Sequence, residues 1–168
     1  MLTLWLATAL AAPVCDDLAP IQRDEVSVAW VSRVGARASG RSWLTVVNTA
    51  DLRGWATSHH ADLTRLLQGL GRRRSDEPPR HGWKVVVFDV DADTLCRPTD
   101  TATPGSDLAG IAVCEDRGRH VSGIDHGCGH TVDRLDGGRG LDVFHVRWDD
   151  AARQGFCVLP VDRFLDGR

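Results

Sequence analysis

Apolar and polar positions alternate along EVSVAWVSRV (25–34). Val26, Val28 and Trp30 fall on one side and smaller residues on the other, the period-two pattern of a half-buried strand. WLTVV (43–47) is a second β-type run, and Asn48 and Thr49 can cap the segment after it. TADLRGWA reads as one short helical turn. The period then changes to 3.6. Leu63, Leu66, Leu67 and Leu70 stand at i, i+3, i+4 and i+7, one apolar stripe that predicts the main helix over about 60–70. Ser58 suits its N-cap, Asp62 its positive end and Gly71 its left-handed C-terminal residue. Gly69 inside the stripe costs about 1 kcal/mol against alanine.

RRRSDEPPRHG (72–82) reads as a linker. Pro78 and Pro79 forbid helix, and Arg72, Arg73 and Arg74 form a solvated helix end. WKVVVFDV (83–90) is nearly all apolar, as a central strand covered on both faces would be. Beyond residue 91 the texture changes, with four of the five cysteines and four of the seven histidines. DTATPGSD is a polar loop and RLDGGRG a turn cluster. LAGIAVC, HVSGI, LDVFHVRW and GFCVLPV read as strands, with a turn or one helical turn at DDAARQ. These elements make the fold class α+β. A small mixed sheet carries one main amphipathic helix, and the C-terminal half is β-rich and cysteine-bearing. We place a single domain over 13–168, with an α/β layer at 25–90 and a Cys/His-rich β part at 91–168.

The first residues change the picture. Leu2–Ala12 is an apolar run broken only by threonines, with alanines offering A-x-A cleavage and Asp16 and Asp17 following. It is shorter than the about 20 residues a spanning helix needs, and it fits a signal peptide over 1–12, although no Lys or Arg precedes it. Cys15 invites a lipoprotein reading, but Val14 stands where a small residue is usual. No later stretch is apolar enough to span a membrane. Composition is that of an ordinary globular protein, 42% apolar and 26% charged. Net charge is −3, which argues against a dedicated nucleic-acid binder. Lys84 is the only lysine among twenty basic residues, and tyrosine is absent.

In an oxidising compartment Cys96, Cys114, Cys128 and Cys157 are disulfide candidates, with three pairings open. The segment GIDHGCGHTVD (123–133) offers a different chemistry. Cys114, His120, His126, Cys128 and His130 place five zinc- or copper-type ligands within seventeen residues. If 126–130 is extended, His126, Cys128 and His130 share one face. The paired C-x-x-C of structural zinc sites is absent. Cys128 could also act as a nucleophile between two histidines, with the Gly127 and Gly129 amides as an oxyanion pocket. Asp125 and Asp133 are the nearest groups to orient such a pair, and both suit turns.

KVVVFDVDADTL (84–95) resembles the first motif of haloacid dehalogenase-like phosphatases. The resemblance implies Asp89 as nucleophile and Asp91 as acid/base, with Asp149 and Asp150 as the late acidic motif. It departs from that family where Asp93 lengthens the turn before Thr94, and in lying past mid-chain with 73 residues after Leu95. Asp89, Asp91 and Asp93 alternate as in a calcium loop, without its glycine or distal glutamate. A strand end entering a polar turn is the reading kept. The sequence thus predicts an exported, disulfide-stabilised binding or structural module of unknown partner and without a cofactor. The alternative is a small zinc hydrolase using the cluster at 114–130. His120, His126, Cys128 and His130 would hold the metal, and Asp125 or His145 would be general base.

Overall fold

The computed structural model describes residues 21, 24–33, 43–70, 82–98, 107–108, 111–112, 114, 129–132, 139–151 and 155–167. The expected leader at 1–12, the arginine run and His120 to Cys128 lie outside them.

Strand β1 (Glu25–Ser32) pairs with β2 (Trp43–Asn48) on one side and β3 (Lys84–Asp91) on the other. Helices α1 (Thr49–Ser58) and α2 (Leu63–Gly69) connect β2 to β3. Later come β4 (Asp107–Leu108) and β5 (Ile111–Ala112), a separate ribbon, and then β6 (His130–Val132) and β7 (Arg139–Arg147). The chain ends with α3 (Trp148–Ala151), β8 (Cys157–Pro160) and α4 (Val161–Asp166). The main sheet has six strands in the order β6-β7-β2-β1-β3-β8.

The fold is α+β, but the expected mixed sheet is antiparallel at each of its pairings. The cause is topological. β2 and β3 run parallel, yet β1 lies between them, so they never become neighbours. β3 accordingly sits between antiparallel strands and not in the parallel core that the phosphatase motif implies. Asp89, Asp91 and Asp93 are exposed, and the Thr94 hydroxyl donates to Asp91 O at 2.7 Å. That bond closes the 3-10 turn Ala92–Thr94, so the strand-end reading describes this segment.

Both faces of the sheet are buried. Val26, Val28, Leu44, Val46, Val86, Phe88, Phe144 and Val146 pack on one side under α3, Leu95 and Phe156. Ala29, Val31, Val47, Val85, Leu141 and Val143 pack on the other under α1, α2 and α4. β1 is therefore covered on two faces, not one, because it lies inside the sheet and helices pack across Ala29 and Val31.

The main helix expected over 60–70 is α2, and the short helical turn expected at TADLRGWA is a full helix, α1. Asn48 Oδ1 accepts from Ala50 N and Asp51 N at 2.9 and 3.2 Å, which starts α1 at Thr49. Its buried face is only Thr49, Leu52 and Ala56, too sparse to mark a helix in sequence. His60 then takes a positive φ of 46° and breaks the run. Asp62 Oδ1 accepts from Arg65 N at 2.8 Å and caps α2, a role the sequence suggests for Ser58. Ser58 instead closes α1, donating to Gly54 O.

Gly69 has a packing reason. A Cβ there would stand 2.3 Å from the Trp55 ring, so the glycine lets α2 lie against α1. The buried Thr131 hydroxyl donates to Gly69 O at 2.7 Å and accepts from Leu141 N at 2.9 Å, tying α2 to β6 and β7. Exposed Gly54 in α1 has nothing within 4 Å of its Cβ position. Two glycine-to-alanine changes should thus have opposite signs in denaturant unfolding. Gly54→Ala should stabilise by up to about 1 kcal/mol. Gly69→Ala should destabilise by about 1–3 kcal/mol, the cost of overpacking.

Candidate functional site

RGLDVFHVR alternates, so β7 sends Leu141, Val143, His145 and Arg147 to the helix-covered face and Phe144 and Val146 to the other. Register on β2 sets Thr45 opposite His145 and Trp43 opposite Arg147. Thr45 Oγ1 lies 3.2 Å from His145 Nε2. The His145 and Trp43 ring centroids are 6.1 Å apart, and Arg147 Cζ sits 5.0 Å over the Trp43 ring.

The outer edge of β7 is covered in two pieces. Val143 N donates to Gly129 O at 2.7 Å beside β6, and Cys96 pairs with His145 further along. Cys96 is bonded to Cys114, across a separation of 18 residues and a Cα–Cα distance of 5.0 Å. Cys114 N in turn donates to Arg97 O at 3.2 Å. Arg97 is 0% exposed, with Cζ 4.7 Å over the Phe144 ring. Gly129 holds a φ of +81°, and a Cβ there would stand 3.3 Å from Arg97 Cβ. The glycine thus serves both the turn and the close approach to a buried arginine.

Of the disulfide candidates, Cys96 and Cys114 are joined. Cys157, expected in a bridge, carries a free and exposed thiol on β8. The strand order puts β8 at the edge of the sheet far from Cys96, four strand spacings from β7 or roughly 20 Å. That is far beyond the about 7 Å Cα separation a disulfide tolerates. Of the metal candidates, His130 lies in β6 opposite Asp142, while His120, His126 and Cys128 fall outside the described residues. Among the described residues no group of three His, Cys, Asp or Glu side chains is placed to hold a metal ion. Sequence reasoning missed Arg97, which no pattern marks as buried. The pairing of Thr45 with His145 was also missed, since alternation assigns faces but not partners.

His145 is 2% exposed, and its Nδ1 has no hydrogen-bond partner among the described residues. Burial pushes the imidazole down from 6.5 to about 4. It is therefore neutral at physiological pH and a weak proton acceptor, poorly matched to the general-base role considered for it. No family model, curated protein or solved structure matches the chain.

The depressed pKa carries a sign for stability. The unfolded chain protonates His145 near 6.5 and the folded chain only near 4. Its contribution is complete above pH 6.5 and is lost as pH falls from 6.5 through 4. Between neutrality and about pH 4.5 the loss from this residue should be roughly 2–3 kcal/mol. Urea unfolding of wild type and His145→Gln at both pH values checks this. The variant's loss on acidification should be smaller by that amount.

Proposed function

We propose that the chain is an exported, disulfide-stabilised α+β domain acting as a binding or structural module. The observation that carries this reading is the Cys96–Cys114 bond, which secures the edge piece that Cys96 bridges to β7. Disulfides persist where thiols are oxidised, outside the cell or in the periplasm, and are rare in cytosol. The apolar leader at 1–12 supports the same compartment. Among the described residues no helix is long and apolar enough to cross a membrane. The weak basicity of His145 favours a module over a hydrolase that would use it.

Alkylation of protein recovered from its native host, before and after reduction and with metal measured on the same sample, tests the reading. The expected result is a chain lacking residues 1–12. Cys96 and Cys114 should be blocked until reduction, and Cys157 should label at once. Full-length cytosolic protein with both of those thiols labelled directly, carrying stoichiometric zinc, would overturn it in favour of a metal site at His120, His126, Cys128 and His130. Cys114→Ser should lower stability by about 3 kcal/mol, the chain-entropy value for a loop of this size, while Cys157→Ser leaves the melting temperature unchanged.

A further inference from the structure

The strand ends sort the charges of this domain. β1 ends, β2 and β3 begin and β7 ends at one rim of the sheet, as the pairs Ser32↔Lys84 and Trp43↔Arg147 require. Arg33 and Arg147 are exposed at that rim, and Lys84 is half-buried beside them. Arg33 Cζ lies 5.1 Å over the Trp83 ring, and Arg147 Cζ lies 5.0 Å over Trp43. Two arginine–tryptophan pairs thus stand side by side, one across β7 and β2 and one at the β1–β3 junction. The four strands span three spacings, about 14 Å of straight rim. Asp149 and Asp162 open α3 and α4 at this end.

The other rim is acidic. Glu25 stands directly opposite Asp91, with Asp24, Asp89 and Asp93 around them. Asp51 and Asp142 lie at the same end, and burial together with the Asp142 carboxylate raises the pKa of Asp51. Among the described residues charge is therefore polarised along the strands, and the end that carries Arg33 and Arg147 is the one suited to an anionic partner.

We propose that the Arg33–Trp83 and Arg147–Trp43 rim docks the domain end-on to an anionic phospholipid surface. This names a partner for the module proposed above and rests on that reading for the compartment in which the surface is met. Charge complementarity selects an anion. A short straight rim, with its cations held at fixed heights by indoles, suits a plane better than a groove-following strand. Half-exposed Trp43 is a side chain suited to the polar–apolar boundary of a bilayer. The acidic far rim turns the opposite end away.

Sedimentation of the purified mature protein with phosphatidylcholine vesicles, with and without phosphatidylglycerol, tests the proposal. Binding should require phosphatidylglycerol and weaken as salt rises. Arg33→Gln and Arg147→Gln should each reduce partitioning about 5-fold, which is about 1 kcal/mol per cation near the surface. Asp89→Asn, at the far rim, should change it far less. Melting temperatures of the variants separate lost binding from lost folding. Equal binding to both vesicles, or folded arginine variants that bind as wild type does, would overturn the proposal. So would retention by a single-stranded oligonucleotide without vesicle binding. Disulfide-intact protein that ignores the vesicles would overturn the docking proposal and leave the export reading standing. Reduced cytosolic protein that still binds them would overturn export alone.

Discussion

Two backbone hydrogen bonds hold the far side of this sheet together: Cys96 N to His145 O at 2.9 Å and His145 N to Cys96 O at 2.7 Å. Beyond β6 the outer edge of β7 would otherwise present unpaired amides, an invitation to pair with another chain. The Cys96 segment occupies that edge for a single bridge, too short to persist on backbone bonding alone. The link to Cys114 supplies the missing restraint by shrinking the unfolded ensemble. Once the edge piece is held, Arg97 is carried over Phe144 and Gly129 must be a glycine. These local features depend on one covalent bond.

The antiparallel order of the sheet has a separate consequence. Placing β1 between β2 and β3 gives the sheet two buried faces, with three helices on one and α3 with Leu95 and Phe156 on the other. Neither face is open for a ligand in the described core. Among the described residues the perimeter is where charge is unevenly distributed. His145 belongs to the interior side of this division. It is buried, neutral and bonded to Thr45, and its imidazole lies just inside the Trp43–Arg147 pair.

Much of the strand content was legible. β1, β2, β3 and β7 overlap runs whose alternation or continuous apolarity announces them, because each buries at least one face, while β8 lies in an apolar run yet is largely exposed. α1 was not legible as a full helix. Its burial rests on Leu52, Ala56 and half-buried Trp55, and its start depends on the Asn48 cap. The α2 stripe is legible, but the sequence points to an N-cap one turn early, because Ser58 and Asp62 have similar capping chemistry and only backbone geometry separates them. At the candidate site, Cys96 and Cys114 were named as cysteines to bridge but not as each other's partner. The spacing of four cysteines allows three pairings, and distance across the sheet decides which are reachable.

By itself the sequence determined the α+β class, the positions of the principal strands and the leucine stripe, since periodicity arises from local geometry and the need to bury apolar side chains. Strand order was decided only in three dimensions. So were the burial of Arg97 and His145, the exposure of Cys157 and the gathering of Arg33, Trp43, Trp83 and Arg147 at one rim. Each of these depends on residues far apart in the chain meeting across the sheet. A pattern with a period of two or 3.6 residues carries no information about which strand lies beside which.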